Sequence, residues 1–263
     1  GRATLGAIYL MYHYTQMLFN PLEQIAHQIQ DLQKAAAGIG RVRELMAKKA
    51  AICDGEVASL PEGALPLAFE DVSFHYEDDN ELVLKDIAFA LEPGRTLGLL
   101  GRTGSGKTTL TRLLFRLYEA SEGRIRLGGV ALRDLKLDCL RRRVAMVTQE
   151  VQLFRATVRD NLTFFKPNVP DERIIAVLRD LGMGDWFDRL PQGLDTELQA
   201  GGEGLSAGEA QLLAFARAFL GDPGLVILDE PSSRLDPATE KLLERAMDRL
   251  LHGRTGIIIA HRL

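Results

Sequence analysis

The segment GRTGSGKTT, from Gly101 to Thr109, constrains the fold and chemistry of this chain more than any other. An apolar run ending at Leu100 precedes it, and leucines at helical spacing from Leu110 to Leu117 follow it. A glycine-rich loop between a buried strand and a helix is the setting of a P-loop, in which backbone N–H groups face a phosphate group. The segment therefore predicts a phosphate site on a strand–loop–helix unit. The alternative is a glycine-rich turn that fits the pattern by chance.

Each residue type in this loop has a physical role in such a site. Glycines at positions 101, 104 and 106 allow tight turns and a close approach of the backbone to an anion. Lys107 supplies a positive charge for the β- and γ-phosphates of a nucleotide, and the hydroxyl of Thr108 is a ligand for Mg²⁺. The residues expected to contact the nucleotide are Gly101, Arg102, Thr103, Gly104, Ser105, Gly106, Lys107, Thr108 and Thr109.

Composition limits the other classes of function. The chain has 263 residues, 46% of them hydrophobic, so it can bury at least one complete core. Its formal net charge of −4 argues against binding nucleic acid by neutralising many phosphates. Cys53 and Cys139 lie far apart without metal-ligand spacing, which predicts reduced thiols. The chain begins at Gly1 and ends just after an apolar run, which indicates a fragment of a longer protein.

The first segment predicts one long helix. Residues 3–22 contain no Asp, Glu, Lys or Arg, and about 20 such residues can cross a bilayer. Polar groups such as His13 and Gln16 suit a helix that packs on other helices or lines a water-filled cavity. Pro21 predicts a kink or a local break. The helical pattern then continues in a more polar stretch, so the helix is expected to extend into water. The alternative is an amphipathic helix of a soluble protein.

The rest of the chain predicts a linker and then an α/β domain. Residues 48–66 lose helical periodicity and gather Gly, Pro and charged residues. From Pro66 onward apolar strands alternate with helices, a pattern typical of an α/β sheet covered on both faces. Strands are predicted at 67–76, 82–94, 96–101, 123–129, 145–149, 225–230 and 255–261, with a helix-rich insert at about 150–220 and a helix at 237–251.

The segment LVILDEP, residues 225–231, is a buried strand that ends in two acids. A carboxylate at the end of a strand beside a P-loop is placed to organise Mg²⁺, which is the role predicted for Asp229. Glu230 would face the γ-phosphate and polarise the attacking water as a general base. The alternative is a strand-end turn with two solvated acids.

The segment LSAGEAQLLAFARAFL, residues 205–220, predicts a helix that begins at a Ser-Ala-Gly turn. A hydroxyl group and small residues at a helix N-terminus describe an anion site, with Ser206 and Gly208 as its contacts. Such caps are common, so the signal is weak alone. Its position a short distance before the strand at 225–231 makes it informative.

Taken together, these motifs resemble the nucleotide-binding domain of ABC transporters, specifically the exporter type, in which this domain follows a transmembrane domain in one polypeptide. LSAGE stands where the family has LSGGQ, and the family's ARA pattern follows at 216–218. The resemblance covers roughly residues 67–263. It implies an α/β P-loop NTPase fold with an antiparallel β-subdomain and an α-helical subdomain at about 150–221, preceded by one long transmembrane and cytoplasmic helix.

The resemblance also implies roles for residues outside these motifs. Gln149 matches the Q-loop glutamine, which ligates Mg²⁺ and senses the membrane domain, and Tyr76 matches the aromatic residue that stacks on adenine. SRLD at 233–236 matches the D-loop, and His261 matches the switch histidine that contacts the γ-phosphate. Taken singly, Gln149 also fits a surface residue, Tyr76 a hairpin aromatic, and His261 an ordinary strand-end histidine. The implied catalytic residues are Glu230, His261, Lys107 and Gln149, and the implied metal ligands are Thr108, Gln149 and Asp229.

On this resemblance, residues 1–47 are the last transmembrane helix and its cytoplasmic extension, 48–66 are a linker, and 67–263 are the nucleotide-binding domain with a truncated C-terminus. The implied function is ATP-driven export of an unknown substrate, with ATP and Mg²⁺ as cofactors. The implied location is the plasma (inner) membrane, with the nucleotide-binding domain in the cytoplasm. The rival is a soluble ABC-type ATPase acting on nucleic acid or the ribosome, which the uncharged run at the start disfavours.

Two departures from the family pattern fall in the signature, where Ala207 replaces the first glycine and Glu209 replaces the glutamine. The methyl group of Ala207 is expected to limit backbone freedom and phosphate approach. A carboxylate some 8 Å from a phosphate charge costs on the order of 2 kcal/mol at an effective dielectric constant of 20. That repulsion exceeds the roughly 0.3–1 kcal/mol gained at a helix N-terminus. The signature is therefore expected to bind ATP less well than the consensus.

This weakened signature bears on the partner. ATP sites in this family form between two domains arranged head to tail, each with the P-loop of one chain and the signature of the other. We therefore expect a heterodimer with a second half-transporter and two unequal sites, in which the P-loop of this chain belongs to the hydrolytic site. A homodimer is the alternative, and no nucleic-acid partner is expected.

Overall fold

The computed structural model describes residues 4–48, 50, 52–76, 81–229 and 237–260, without the side chains of Asn20, Pro237 and Ala238. The chain divides into two compact units, Gly1–Ala51 and Ile52–Leu263.

The first unit is formed by one helix, α1 (Leu5–Ala47), which confirms the predicted long helix. The helix runs through Pro21 without ending there, so proline does not break it. Its large apolar side chains are exposed, as at Leu18 and Leu32. Within the part of the chain that the structure describes, no helix has both the length and the apolar character needed to span a membrane.

The second unit contains alternating strands and helices. In chain order they are β1 (Leu67–Phe74), β2 (Leu84–Leu91), β3 (Thr96–Leu100), α2 (Lys107–Leu114), β4 (Glu122–Leu127), β5 (Val130–Ala131), α3 (Leu137–Arg143), β6 (Val144–Val147), β7 (Ala156–Thr157), α4 (Val158–Thr163), α5 (Asp171–Asp180), α6 (Gly184–Asp188), β8 (Glu197–Leu198), α7 (Ala207–Gly221), β9 (Leu225–Asp229), α8 (Pro237–Leu251) and β10 (Thr255–Ala260). Short 3₁₀ helices lie at 132–134, 193–195 and 200–202.

The strands of the described residues form two four-stranded sheets and one short pair. The first sheet is antiparallel, in the order β2-β1-β4-β5, and the second is parallel, in the order β3-β10-β9-β6. β7 and β8 pair within the helix-rich insert. β10 thus lies between β3, which precedes the glycine loop, and β9, which ends at Asp229. Two strand spacings place β3 and β9 about 10 Å apart. The sequence predicts one sheet for these strands, but not the strand between them.

The parallel sheet is covered on both faces, as predicted. Val226 and Leu228 of β9 belong to one buried cluster, together with Phe215 of α7 and Leu243 of α8. Ile227 belongs to a second cluster, which includes Leu113 of α2 and residues of the antiparallel sheet. Because successive side chains of a strand point to opposite faces, this alternation buries β9 from both sides. Such burial explains why the strand reads as a continuous apolar run.

Residues 52–66, the end of the predicted linker, lie along the second unit. Val57 donates one backbone hydrogen bond and accepts another from the segment that precedes α3, at 2.8 and 2.9 Å. The guanidinium of Arg116 donates to the carbonyl of Cys53 at 2.7 Å, and that of Arg143 donates to two carbonyls of the segment at 2.9 and 2.7 Å. Leu65 is fully buried. The segment is therefore bound to the domain along much of its length.

Candidate functional site

The glycine loop after β3 has a backbone that only glycine adopts readily. Gly104 and Gly106 have φ angles of 85° and 87°, in the left-handed region. A Cβ atom at Gly106 would lie 2.6 Å from a methyl carbon of Leu84, so that position also lacks space for a side chain. The loop then leads directly into α2, whose first residue is Lys107. The predicted strand–loop–helix unit is present.

Lys107 places its charge inside this loop. Its ammonium Nζ donates to the carbonyl oxygens of Gly101 at 2.5 Å and Arg102 at 3.1 Å, and it lies 3.4 Å from Oγ of Ser105. Across α2, all of whose residues are described, the first turn has no acidic side chain, and its N-cap Gly106 offers no side-chain acceptor. The lysine and the positive end of the helix dipole therefore act together on any anion in the loop.

The carboxyl ends of the parallel strands meet at the edge where this loop lies. Leu100 pairs in register with Ala260, Ile259 with Asp229, and Val147 with Leu228. Asp229 thus stands at the same edge as the glycine loop, and Gln149 follows β6 by two residues. Asp229 and Gln149 also line one cleft of about 650 Å³. Thr108 is not among the residues that line this cleft. The predicted Glu230, His261 and the D-loop at 233–236 lie outside the described residues.

Tyr76, the predicted adenine-stacking residue, lies beside α2. Its hydroxyl Oη is 3.0 Å from Oγ1 of Thr109 and 3.1 Å from Nη1 of Arg112. Phe74 and Tyr118 pack against its ring at nearly right angles. The structure therefore brings Tyr76 next to the helix that follows the glycine loop, and it adds Arg112, which sequence reasoning missed.

The predicted signature forms a closed N-terminal cap on α7. The Ser206 hydroxyl accepts the backbone N–H of Glu209 at 3.1 Å, and the Glu209 carboxylate accepts the backbone N–H of Ser206 at 2.8 Å. This reciprocal arrangement is a capping box, for which Ser-x-x-Glu is a sequence signal beyond the serine alone. A guanidinium nitrogen of Arg189 lies 4.0 Å from the same carboxylate. The charge of Glu209 is therefore held at the end of its own helix.

The two small residues of the signature are constrained differently. Ala207 is exposed and is the first residue of the regular helix α7, and the expected effect of its methyl group on phosphate approach stays a prediction. Gly208 is buried, and a Cβ atom there would lie 2.1 Å from the side-chain methyl of Thr239 on α8. The packing of α7 against α8 therefore favours glycine at position 208.

Comparison with known proteins decides the family. A family model described as ABC transporter matches residues 84–233, more than half of the chain. This chain belongs to the ABC transporter family. The predicted family and the predicted fold class are confirmed.

Individual relatives agree over the whole chain. The uncharacterized ABC transporter ATP-binding protein YfiC of Bacillus subtilis is 36% identical over 264 residues, which cover 100% of this chain and 44% of that protein. The probable multidrug resistance ABC transporter ATP-binding/permease protein YheH of the same species is 37% identical over 264 residues, covering 100% and 39%. A solved structure of a bacterial Atm1-family ABC exporter with ATP bound matches with a TM-score of 0.77 at 29% identity, covering 100% of this chain and 46% of that chain. The chain spans less than half the length of these proteins.

In this ABC transporter domain, two polar residues of α7 make hydrogen bonds that the sequence did not lead us to predict. Gln211 is buried, and its amide donates to the carbonyl of Thr148 at 3.2 Å. Arg217 donates to the carbonyls of Asn161 at 2.6 Å and Gln152 at 2.8 Å. Burial lowers the pKa of Arg217 to about 10, which leaves it charged at neutral pH. The helix that carries the signature thus binds the segment around Gln149 on both sides.

The candidate metal ligands form an oxygen donor set. Among the residues that the structure describes, no group of three or more His, Cys, Asp and Glu side chains could hold a metal ion. Thr108, Gln149 and Asp229 instead offer a hydroxyl, an amide and a carboxylate oxygen. Mg²⁺ prefers oxygen ligands and usually takes only one or two carboxylates together with water and phosphate oxygens. By donor type these residues of the ABC transporter domain therefore suit Mg²⁺, and two of them, Gln149 and Asp229, line the same cleft.

Proposed function

We propose that this chain binds and hydrolyses ATP, with Mg²⁺, as the nucleotide-binding part of an ABC exporter. The observation that carries the proposal is the shared edge of the parallel sheet, where the glycine loop, Asp229 and the segment leading to Gln149 lie together. Ligands of open α/β sheets bind at the carboxyl ends of the strands. The relation to a solved exporter with ATP bound supports the choice of nucleotide.

In this proposal the loop at 101–109 holds the phosphates. Its backbone N–H groups and the N-terminus of α2 bind the β- and γ-phosphates, and Lys107 gives up its bonds to loop carbonyls for bonds to phosphate oxygens. Thr108, Gln149 and Asp229 hold Mg²⁺, which would neutralise phosphate charge. Tyr76 stacks on the adenine base. Ser206 and Gly208 contact a nucleotide bound to the partner chain.

Glu230 and His261 are proposed to complete the chemistry. Glu230 accepts a proton from the attacking water as a general base, and His261 contacts the γ-phosphate. General acid–base catalysis contributes about 10²- to 10⁴-fold to a rate. We therefore expect Glu230→Gln, in the full-length protein with its partner half, to keep ATP affinity and to lower steady-state hydrolysis by at least about 100-fold. ATP binding and phosphate release are measured on the same samples.

The Asp229→Asn variant is the comparison for this experiment, because it alters a proposed metal ligand instead of the proposed general base. Asp229→Asn should weaken the Mg²⁺-dependent component of ATP affinity, while Glu230→Gln should leave it unchanged. Hydrolysis in Glu230→Gln at the wild-type rate would remove Glu230 from the proposed role.

The partner is proposed to be a second ABC half-transporter that differs from this chain. The carboxylate of Glu209 is fixed at the N-terminus of α7 by the Ser206 backbone, where a phosphate of the partner's nucleotide would otherwise meet a positive helix end. The weak site would contain this signature, and the hydrolytic site would contain the P-loop of this chain. ATP hydrolysis by the full-length chain alone, at the rate of the mixed pair, would contradict unequal sites.

Closure of the two nucleotide-binding domains is proposed to drive export of an unidentified substrate. Gln211 and Arg217 donate to carbonyls of Thr148 and Gln152, so the signature helix contacts the segment that contains Gln149, the residue expected to sense the membrane domain. We place the full-length protein in the plasma membrane, with the nucleotide-binding domain in the cytoplasm. Partition of the full-length protein into washed membranes tests this placement, and recovery in the soluble fraction would favour the soluble ATPase alternative.

A further inference from the structure

The hydroxyl group of Tyr76 is bound by two side chains of α2. Oη of Tyr76 lies 3.0 Å from Oγ1 of Thr109 and 3.1 Å from Nη1 of Arg112. Thr109 and Arg112 are three residues apart on a helix, a spacing that places both side chains on one face. Thr109 is buried and Arg112 is exposed, so the tyrosine hydroxyl is held from the inside and from the outside of the domain.

The chemistry of the three groups fixes the direction of one of these bonds. A guanidinium group only donates, so Arg112 must donate to the oxygen of Tyr76. Between Tyr76 and Thr109 either hydroxyl can be the donor. Tyr76 thus links Arg112 and Thr109 in one hydrogen-bonded chain, and successive hydrogen bonds in such a chain strengthen one another. The charged donor makes the first of these bonds stronger than a neutral one.

The ring of Tyr76 is also held along its sides. The ring of Phe74 lies 4.9 Å away at 84°, and the ring of Tyr118 lies 5.1 Å away at 88°. Such perpendicular arrangements are favoured between aromatic rings. Tyr76 is nevertheless only half-buried, so part of its surface is available to a ligand. Packing and hydrogen bonds together fix the two side-chain torsion angles of this residue.

We propose that Arg112 and Thr109 are positioning residues that hold the Tyr76 ring as a platform for the aromatic base of a nucleotide. This inference rests on the proposed function and deepens it. The platform and the phosphate loop are joined by the same helix, since Thr109 closes the loop segment and Arg112 lies one turn further on. A base that meets an ordered ring binds more tightly, because less side-chain freedom is lost on binding.

Inorganic tripolyphosphate separates the base from the phosphates, because it fills a phosphate loop but has no base. We would measure the Kd of ATP and of tripolyphosphate, each with Mg²⁺, for the 263-residue chain by titration calorimetry. Arg112→Ala and Tyr76→Phe should each weaken ATP binding by about 3- to 10-fold, the value of one hydrogen bond, and leave tripolyphosphate binding unchanged. Arg112→Lys, which keeps a donor, should recover most of the ATP affinity.

The control is Arg245→Ala, which removes an exposed arginine from α8 and should change neither Kd. ATP binding by Arg112→Ala at the wild-type Kd would overturn the inference. Equal losses for ATP and tripolyphosphate would also overturn it, since Arg112 would then act on the phosphates. If the wild-type chain binds tripolyphosphate as tightly as ATP, the base adds no affinity, and that result would overturn the inference about the Tyr76 platform but not the phosphate site. A wild-type chain that binds neither ligand would overturn the proposed function itself.

Discussion

The N-termini of α2 and α7 both follow short runs of small residues, but they differ in charge and in capping. α2 begins after Gly106, has no acidic side chain in its first turn, and has Lys107 as its first residue. α7 begins after Ser206, which forms a capping box with Glu209. Both helix ends carry the partial positive charge of the helix dipole. In α7 a carboxylate of the same chain already binds that charge, whereas in α2 a lysine adds to it.

Small residues before a helix are therefore not by themselves a reason to expect an anion site, because the first turn can supply its own acceptor. The carboxylate of Glu209 bonds to the backbone of Ser206 at 2.8 Å, so another anion at that end of α7 would meet a negative charge. The loop before α2 presents a cation to the same kind of ligand. On the proposed function, α2 therefore carries the strong phosphate site and α7 the weak one.

The largest effect is expected from removing the cation of α2. Lys107→Ala should weaken ATP binding by about 10- to 100-fold, because a charge-assisted hydrogen bond to phosphate is lost and the helix end alone remains. The affinity is measured with a fluorescent ATP analogue in the presence of Mg²⁺. Lys241→Ala, which removes an exposed lysine from α8, is the control and should bind as the wild type does. An unchanged Kd for Lys107→Ala would contradict the proposed role of the lysine charge in distinguishing the N-terminus of α2 from that of α7.

A smaller effect is expected from filling the space at Gly208. A methyl group there would lie 2.1 Å from the side-chain methyl of Thr239, so the Thr239 side chain or the two helices must shift in Gly208→Ala. Overpacking of this kind costs about 1–3 kcal/mol, partly offset by the higher helix propensity of alanine. We expect the free energy of unfolding in urea to fall by about 1–2 kcal/mol.

Gly221→Ala is the matched control, because it changes a glycine of the same helix that has no atom within 4 Å of its Cβ position. It should leave the free energy of unfolding unchanged or raise it. If both variants unfold alike, glycine at 208 is not required for packing, and its place in the signature would need a role in ligand contact instead.

Local patterns in the sequence predict the elements of this fold well. The apolar run of β9 and the glycine loop before α2 are both found where the residues predict them. Burial and backbone geometry restrict which residue types can occupy such neighbouring positions, so the pattern is visible in the sequence. The order of the parallel strands is different, since nothing in the residues of β3 and β9 indicates that β10 lies between them. Strand order depends on long-range pairing, which a single sequence does not record.

Contacts made through backbone groups were also beyond sequence reasoning. The carbonyls bound by Arg116 and Arg143 belong to a segment that looks like a linker because it lacks periodicity. A carbonyl is present at every residue, so its partner leaves no pattern in the segment itself. The same holds for Gln211 and Arg217, which bind carbonyls near Gln149. The capping box of Glu209 did leave a signal, in the spacing Ser-x-x-Glu.

The most direct test of the central claim is ATP-driven association of the chain, with and without the charge of Glu209. In the Glu230→Gln background, Glu209→Gln keeps an oxygen that can accept the Ser206 N–H but removes the negative charge. Because this side chain is partly exposed, screening reduces the repulsion, and we expect association to tighten by about 3- to 10-fold. Sedimentation velocity with MgATP measures it, and Glu244→Gln on α8 is the charge-matched control. Association that is equal or weaker in Glu209→Gln would contradict the claim that this signature is a weakened anion site.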